Sequence, residues 1–186
     1  GQQHTCTLVD ADSEDDVPSA VWCWGPSSAP VGPLESGQNS AVPAPVSGVE
    51  GAISIDLGPN TSCAVMADHT VRCWGGDFVR SDPFVVRSRA PIPMAGADVA
   101  EVRFGQPLRC YRHTDGDVSC WDIFRHREDG VTRLEGLGAV ALDVGYEHAC
   151  AVLGDGTVRC WGAGEGGQLG HGQTVDSAVP VAVQGI

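Results

Sequence analysis

The chain of 186 residues is acidic: 24 Asp and Glu residues against 11 Lys and Arg residues give a formal net charge of −13. A field of that sign repels nucleic acid and anionic membranes, so neither is expected as a partner. The sequence contains no run of about 18 apolar residues, which excludes a membrane-spanning helix. With 25 glycines, 12 prolines and no long helical pattern, it favours short strands joined by turns. No signal peptide is recognisable after Gly1, as in a processed or trimmed chain.

The eight cysteines fall into four pairs with regular spacing and form no Cys-x-x-Cys motif. An even count in this arrangement favours disulfides, and hence an oxidising compartment, over metal sites. A cytosolic protein with reduced thiols is the alternative.

The first predicted unit, residues 1–52, is the most irregular. It lacks its first strand, because Gly1 aligns with the glycines that end that strand in the later units. Its hairpin runs between Cys6 and Cys23, and Trp24 follows the second cysteine. An acidic tip lengthens this hairpin and carries Asp10, Asp12, Glu14, Asp15 and Asp16.

The second unit, residues 53–99, has the clearest strand pattern. Apolar and polar residues alternate over Ile53–Leu57, which predicts a half-buried strand. Cys63–Met66 and Thr70–Trp74 are the next two strands. In the turn between them His69 takes a position that favours glycine, at the cost of some strain.

The third and fourth units, residues 100–139 and 140–186, repeat this hairpin. An Asp-Gly pair at 115–116 and another at 155–156 supply the positive φ that a tight hairpin turn requires.

The hairpins predict how the cysteines pair. Pairing of Val65 with Val71 places Cys63 opposite Cys73. Opposed residues of an antiparallel pair have Cβ atoms about 4.5–5.5 Å apart, so a small local adjustment reaches disulfide geometry. Four cross-strand disulfides are therefore predicted: Cys6–Cys23, Cys63–Cys73, Cys110–Cys120 and Cys150–Cys160.

Connections rich in glycine and proline separate the units, and each ends near a short strand-like piece. These pieces are Pro45-Val46, Pro91-Ile92, Val131–Leu134 and Val179–Val183. Each unit therefore has four short strands. Four-stranded antiparallel units at this period are typical of the blades of a β-propeller, which is an all-β fold.

The fourth unit carries a more specific motif. After Cys160 and Trp161 comes a glycine-rich segment, Gly162–Gly172, which contains Gly-Gln-Leu-Gly-His-Gly. This order of hairpin, Trp-Gly and Gly-Gln-Leu-Gly-x-Gly resembles the regulator of chromosome condensation repeat. Units one and two keep the Trp-Gly pair, whereas unit three has Asp122 in place of the glycine.

The resemblance implies a propeller of a family whose members usually have seven blades, whereas four units are present here. We expect a partial propeller or a part of a larger ring. Completion of the ring by a partner and closure of four blades on themselves are the other interpretations. The paired cysteines resemble those of secreted bacterial members, which implies a secreted, cell-surface or periplasmic location.

The acidic tip is the candidate cation site, because calcium prefers several carboxylate and carbonyl oxygens on a flexible loop. Asp10, Asp12 and Glu14 alternate along the chain, with Asp15 and Asp16 beside them. The tip lacks the glycine and the distal glutamate of an EF-hand loop, and a solvated acidic loop is the simpler interpretation. No other cofactor is predicted.

Aromatic residues outside the repeated tryptophans form the candidate partner-binding set. Variable segments on regular blades are where propellers place binding, whereas the once-per-unit tryptophans are expected in blade packing. The candidates are Trp22, Phe78, Phe84, Tyr111 and Phe124.

The other polar residues favour structural roles. His4 and His148 each precede a cysteine by two residues, which predicts a structural hydrogen bond. The glycine-rich segment lacks the following helix of a phosphate-binding loop, so a tight connection between blades is expected. Histidine, serine and carboxylate form no convincing catalytic set, and no enzyme activity is predicted.

Together these patterns predict a non-enzymatic extracytoplasmic binding or scaffold module. It recognises a protein partner through propeller loops, or joins further blades in a larger assembly. A carbohydrate- or calcium-binding surface protein that uses the Asp10–Asp16 tip is one alternative. Guanine-nucleotide exchange, which the resemblance implies, is the other, and the disulfides argue against it.

Overall fold

The computed structural model describes residues 4–9, 19–26, 40–76, 87–93, 98–105, 108–122 and 131–186. These residues form fifteen β-strands, and none of them is helical. Within this described part, no helix is long and apolar enough to span a membrane. The chain divides into two compact units, Gly1–Val102 and Arg103–Ile186.

The strands are short, as the turn-rich sequence indicates. In chain order they are β1 (Thr5–Val9), β2 (Ala20–Gly25), β3 (Ser40–Pro45), β4 (Ala52–Leu57), β5 (Thr61–Met66), β6 (Val71–Gly76), β7 (Arg87–Pro93), β8 (Val99–Phe104), β9 (Leu108–His113), β10 (Val118–Asp122), β11 (Val131–Leu134), β12 (Ala139–Val144), β13 (His148–Leu153), β14 (Val158–Gly162) and β15 (Ser177–Ala182).

Four sheets follow one another along the chain. Sheet 1 has the order β1-β2-β3, sheet 2 β4-β5-β6-β7, sheet 3 β8-β9-β10-β11 and sheet 4 β12-β13-β14-β15. Each strand pairs with its neighbour in sequence, which is the meander of a propeller blade. The all-β prediction is confirmed, and sheet 1 has three strands in the described residues. The predicted repeat limits, 1–52, 53–99, 100–139 and 140–186, stay predictions.

The cysteines lie on two neighbouring strands of every sheet. The strand register places each cysteine opposite its partner, and the two Cα atoms are 4.1 Å apart in all four pairs. Such a short separation is typical of the narrow, non-hydrogen-bonded pairs of an antiparallel ladder. The structure therefore contains the four cross-strand disulfides that the spacing predicts.

Tight turns join these cysteine strands. Gly116 and Gly156 both have a φ of 85°, as the Asp-Gly pairs predict. His69, at the corresponding position of sheet 2, has a φ of 63°. A left-handed backbone costs an L-residue roughly 1–2 kcal/mol. The His69 N–H donates to the carbonyl oxygen of Met66 at 2.9 Å, so the turn closes despite this cost.

In three of the sheets, the outer strand pairs with its neighbour across a bulge at the glycine that follows the repeated tryptophan. Gly25, Gly75 and Gly162 have φ values of 133°, 113° and 104°. The strand register shifts just before each of these glycines. Positive φ at such a bulge favours glycine. The residue opposite each glycine is a serine, namely Ser40, Ser88 or Ser177.

The outer strands consequently begin earlier than the sequence indicates. The apolar and proline residues predicted a strand at Pro45-Val46, but β3 spans Ser40–Pro45 and Val46 lies beyond it. β7 and β15 likewise begin at Arg87 and Ser177. Pro91-Ile92 and most of Val179–Val183 lie within β7 and β15, and β11 has the predicted bounds Val131–Leu134. The predicted starts were too late because they followed apolar residues, whereas the pairing begins among the polar residues opposite the glycines.

Each sheet has two different faces, because successive side chains of a strand point to opposite sides. We call the side that carries the cysteines the disulfide face. The side that carries the repeated tryptophan, one residue further along the strand, is the tryptophan face.

Within the first unit, the disulfide face of sheet 1 packs on the tryptophan face of sheet 2. Val21 and Cys23, at 1% and 0% exposure, share one core cluster with Ala64 and Trp74. Burial of apolar surface contributes about 25 cal/mol per Å², so this contact is the main cohesion between the two sheets.

The second unit repeats this arrangement. Cys110 and Val118 on the disulfide face of sheet 3 cluster with Ala151 and Trp161 on the tryptophan face of sheet 4. The tryptophans at the centres of the two clusters therefore pack blades together, as the sequence indicates.

Candidate functional site

Two of the predicted partner-binding residues lie in the described part of the chain. Trp22 is on β2, half-buried, with Thr7 on β1 and Pro45 on β3 opposite it. Tyr111 is 9% exposed on the tryptophan face of β9, so its placement on a binding surface was wrong. The other candidates lie outside the described residues and stay predictions: Phe78, Phe84, Phe124, Asp10, Asp12, Glu14, Asp15 and Asp16.

The described strands show at which end of its sheet the acidic tip begins. β1 ends at Val9, which pairs with Ala20 at the start of β2. The two strands that carry the cysteines are joined here, and we call this the hairpin end of a sheet.

The connection that carries Phe78 and Phe84 begins at the other end. β6 ends at Gly76, which pairs with Arg87 at the start of β7. The Gly58–Thr61 turn lies at this same end, because Thr61 pairs with Gly75. We call it the turn end. The acidic tip thus follows a strand at the hairpin end of its sheet, whereas the connection with Phe78 and Phe84 follows a strand at the turn end.

In sheet 4 both segments of the turn end are described. Tyr146, in the turn between β12 and β13, is 65% exposed, and Glu147 beside it is also exposed. Two backbone hydrogen bonds fix this turn. Ala163 N–H donates to the Glu147 carbonyl oxygen at 2.8 Å, and Gly145 N–H donates to that of His148 at 2.8 Å. The tyrosine is therefore presented on an ordered backbone.

Close packing at two glycines holds the turn against the connection that follows β14. A Cβ on Gly162 would collide with the carbonyl oxygen of Glu147 and lie 2.8 Å from the Cα of His148. A Cβ on Gly145 would collide with the His148 imidazole, so that ring lies directly against the glycine. His148 thus has a packing role here.

The glycine-rich connection is itself compact. Leu169 at its centre is 0% exposed. Gly164 N–H donates to Asp176 Oδ1 at 2.9 Å, and Gln184 N–H donates to the Gly170 carbonyl oxygen at 2.9 Å. Strand β15 follows, where a phosphate-binding loop would need a helix. The segment is a tight connection, as the sequence predicts.

The turn end of sheet 4 combines an aromatic ring with negative charge. Besides Tyr146, it exposes Glu147, Glu165 and Asp176 on the turn and the connection. Tyr146 was not predicted as a binding residue, because the prediction considered the long connections and not the short turns. The available signal was that Tyr-Glu stands here where unit two has Pro59-Asn60.

The hairpin end of sheet 3 carries a buried carboxylate. Asp117 is 8% exposed and accepts hydrogen bonds from Arg133 Nε at 2.9 Å and from Gly136 N–H at 2.8 Å. The Gly136 N–H, followed by the Arg133 guanidinium, lowers the pKa of Asp117. Asp117, in turn, is the main cause of the raised pKa of Arg133. Both oxygens of the Asp117 carboxylate accept hydrogen bonds from the protein. The ion pair with Arg133 therefore stabilises the position of β11 and is not a ligand site.

A second buried charge lies in the same unit. Arg109 is 4% exposed, and its Cζ lies 5.4 Å from the centroid of the Phe104 ring. Burial lowers the pKa of Arg109. A guanidinium over an aromatic ring at this distance is a cation–π contact, which offsets part of the desolvation cost.

His4 connects the two sheets of the first unit. Its ring is 3% exposed, and Nε2 lies 2.7 Å from Ser62 Oγ. Burial, followed by the positive charge of the amino terminus, lowers the pKa of His4 to about 4. The imidazole is therefore neutral at physiological pH and has the structural hydrogen bond that the sequence predicts.

Among the described residues, no three His, Cys, Asp or Glu side chains are grouped closely enough to hold a metal ion. The acidic tip lies outside those residues, and calcium at this tip stays a prediction.

Comparison with known families defines the fourth unit. Two models of the regulator of chromosome condensation (RCC1) repeat match residues 139–168 and 155–186. Residues 139–186 thus match the RCC1 repeat, whereas the matched segment is less than half of the chain. The ultraviolet-B receptor UVR8 of Arabidopsis thaliana is 39% identical over 54 residues, which is 29% of this chain and 12% of the receptor.

Solved structures match most or all of the chain. Human WBSCR16 superposes with a TM-score of 0.76 at 19% identity, and covers 100% of this chain and 52% of its own. Yeast RCC1 (Prp20), solved bound to Kap60, gives 0.73 at 20% identity, with 100% and 47% coverage. The ectodomain of the Physcomitrella patens receptor kinase CR4 gives 0.55 at 20% identity, with 87% and 39% coverage.

These structural matches show that the chain has the fold of propeller blades. The chain spans about half the length of the first two solved propellers. The resemblance to RCC1 repeats is therefore confirmed, whereas the likeness to secreted bacterial members stays a prediction.

Proposed function

We propose that this chain is a non-enzymatic module that binds a protein partner through the turn ends of its sheets. The observation that carries the proposal is Tyr146, 65% exposed on a turn whose backbone is hydrogen-bonded on both sides. An exposed tyrosine on an ordered backbone offers a large contact area and loses little conformational entropy on binding.

The charge of the chain favours a basic partner surface. The net charge is −13, and Glu147, Glu165 and Asp176 are exposed at the turn end of sheet 4. Complementary charges raise the rate of encounter and are screened by salt. Nucleic acid and anionic membranes carry the wrong sign and are not proposed as partners.

The location that fits the chemistry is extracytoplasmic. Four disulfides persist in an oxidising compartment. A receptor-kinase ectodomain is among the proteins that share the fold. Nucleotide exchange on an intracellular GTPase is disfavoured, because reduced thiols would remove all four staples.

The sequence-predicted aromatic residues extend this surface. We propose that Phe78, Phe84 and Phe124 contribute to binding, because their connections begin at the turn ends of sheets 2 and 3. Trp22 lies mid-strand and half-buried, so its contribution is the smallest.

The test begins with the oxidised chain on a resin, used to capture a partner from the extracytoplasmic fraction of the source organism. The affinity of the purified partner is then measured by calorimetry at two ionic strengths. Tyr146→Ala is expected to weaken binding about tenfold or more, as for a hot-spot aromatic, and salt is expected to weaken it further.

Val140→Ala is the matched control, because Val140 is 55% exposed but lies near the hairpin end of sheet 4. Unchanged affinity in Tyr146→Ala, or an equal loss in the Val140 control, would overturn the proposal.

A further inference from the structure

A second exposed apolar side chain lies at the turn end of sheet 4. Val175, in the connection between β14 and β15, is 51% exposed, and Tyr146 is 65% exposed. Both residues belong to segments outside the strands. We call these two residues the apolar pair. The proposed function accounts for the tyrosine and leaves the valine without a role.

The backbone places the two residues of the apolar pair near each other. The segment Ala163-Gly164 contacts the neighbourhood of both. Ala163 N–H donates to the carbonyl oxygen of Glu147, the residue after Tyr146, at 2.8 Å. A Cβ on Gly164 would collide with the Val175 carbonyl oxygen, so these two backbones are in direct contact. The backbones of the pair are therefore about two strand spacings, roughly 10 Å, apart.

The valine is on an ordered backbone, as the tyrosine is. Gly164 N–H donates to Asp176 Oδ1 at 2.9 Å, which ties the residue after Val175 to the same segment. Leu169 of the same connection is 0% exposed and lies against Gly164. A partner therefore has to order neither segment on binding, and the contact loses little conformational entropy.

Carboxylates surround the apolar pair. Glu147 follows Tyr146 in the chain, Asp176 follows Val175, and Glu165 follows the segment between them. All three acidic residues are exposed. The apolar centre thus has negative charge on each of the segments that form it.

Basic residues do not balance this charge within sheet 4. Between positions 145 and 186 the only Lys or Arg is Arg159. Its charge acts on Asp155, which lies in the hairpin turn and not at the turn end. Sheet 4 therefore has a mixed hairpin end and a turn end that is purely acidic.

A further blade would leave the apolar pair accessible. In both compact units, neighbouring sheets contact each other through their faces. The pair lies in segments beyond the strand ends and on neither face of sheet 4. A sheet packed on either face would therefore not occupy this site.

We propose that the apolar pair binds a segment of the protein partner in which one apolar side chain is flanked by arginine or lysine. The inference rests on the proposed function and narrows its partner to this chemistry. The apolar side chain packs on Tyr146 and Val175, and the basic side chains pair with the surrounding carboxylates. An apolar centre inside a polar rim is the usual anatomy of a protein interface. A second copy of this chain has the same net charge of −13 and is not the occupant proposed.

The experiment is an NMR titration of the oxidised full chain with three synthetic nonapeptides. The first has a leucine between two arginines in a background of glycine and serine. The second has serine in place of the leucine, and the third has glutamate in place of both arginines. The first peptide is expected to shift the amide signals of Tyr146 and Val175 in a saturable manner, and to leave the signal of Gly156 at the hairpin end unchanged. The other two peptides are expected to bind at least about fivefold more weakly.

Val175→Ser removes apolar surface from the pair without adding charge. It is expected to weaken binding of the first peptide about fivefold, because the leucine loses one of its two apolar contacts. Val140→Ser is the matched control, since Val140 is 55% exposed near the hairpin end of the same sheet, and it is expected to bind like the wild type. Equal binding of the three peptides, an unshifted Val175 signal, or the same affinity in both variants overturns the inference.

Calorimetry with the purified partner separates this inference from the proposed function. Weaker binding of the partner by both Tyr146→Ala and Val175→Ser supports both. If Tyr146→Ala binds the partner more weakly while Val175→Ser binds it like the wild type, the proposed function stands and this inference is overturned. If Tyr146→Ala leaves the affinity for the partner unchanged, the proposed function fails and this inference fails with it.

Discussion

Sheets 3 and 4 fasten their outer strands in different ways. In sheet 4, Gly162 forms a bulge with a φ of 104°, and Ser177 of β15 lies opposite it. In sheet 3, Asp122 occupies the glycine position, and β10 pairs with β11 without a register shift. There the hydrogen bond from Arg133 to Asp117 adds to the backbone pairing of β10 with β11.

Sheet 3 thus lacks the glycine bulge at its turn end and has an ion pair between side chains at its hairpin end. A backbone device is insensitive to pH, whereas an ion pair is lost when its carboxylate is protonated. Sheets 2 and 4 have Thr70 and Thr157 where sheet 3 has Asp117, and these threonines cap their own turns. Sheet 3 thus differs from sheet 4 at both ends of β10, with Asp117 at the hairpin end and Asp122 at the turn end.

The largest effect is expected from reduction of the disulfides, of which sheets 3 and 4 each contain one. Each disulfide closes a short loop and contributes about 3 kcal/mol in the chain-entropy model. We expect reduction to unfold the chain or loosen its blades. Thermal melts with and without reductant measure this, and identical midpoints would contradict it.

A smaller loss is expected from Gly162→Ala. The added Cβ would collide with backbone atoms of Glu147 and His148, and the φ of 104° is strained for alanine. Together these effects are expected to cost about 3 kcal/mol in the free energy of unfolding. Chemical denaturation of the oxidised protein measures the change.

Gly156→Ala is the control for backbone strain alone. Gly156 has a φ of 85°, and a Cβ there would meet nothing within 4 Å. A loss of about 1 kcal/mol is expected. Equal losses in the two variants would show that the close contact with Glu147 does not matter.

Asp117→Asn tests the side-chain attachment of sheet 3. The pKa of Asp117 is lowered in the fold, so its carboxylate adds stability above the unfolded pKa of about 4 and loses it as the pH falls through the folded value. At neutral pH the amide hydrogen of Gly136 is expected to exchange about tenfold faster in the variant. The reason is that its hydrogen bond to the side chain at position 117 is weaker when the acceptor is a neutral amide oxygen. Hydrogen exchange followed by NMR measures this, and unchanged exchange of the Val183 amide, which donates to the Val158 carbonyl oxygen, is the internal control.

The first unit is expected to respond to acid in a different window. The pKa of His4 is lowered from 6.5 to about 4 by burial, so the unfolded chain binds the proton first. Stability therefore falls as the pH drops through 6.5 and continues to fall until about 4. Melting midpoints of the wild type between pH 7 and 4 should show this slope.

His4→Gln is expected to flatten the slope, whereas His148→Gln serves as the control at the equivalent position of sheet 4. If the slope is unchanged in His4→Gln, burial of the His4 imidazole is not the cause of the acid sensitivity.

Much of the fold follows from local chemistry in the sequence. Apolar alternation, Asp-Gly turns and the ten-residue spacing of Cys63 and Cys73 predict the hairpins and their register, because these are short-range constraints. The start of β15 at Ser177 could not be predicted in the same way. It depends on a bulge at Gly162, which pairs residues across a long connection.

The candidate site was less predictable. Tyr146 is one exposed residue in a three-residue turn. Its suitability as a binding residue depends on the ordered backbone of that turn, which the hydrogen bond from Ala163 to Glu147 fixes. Tyr111 lies outside the repeat pattern just as Phe124 does, yet strand alternation buries it. Which aromatic residues remain accessible depends on how sheets pack, and one sequence does not contain that information.

The most direct test of the account places a benzophenone side chain at position 146 in one variant and at position 156 in another. Both positions lie in exposed turns of sheet 4, one at the turn end and one at the hairpin end. A saturable crosslink to the partner is expected from position 146, which excess wild-type chain abolishes, and none is expected from position 156. A crosslink from position 156 alone, or from neither position while the partner stays bound, would contradict it.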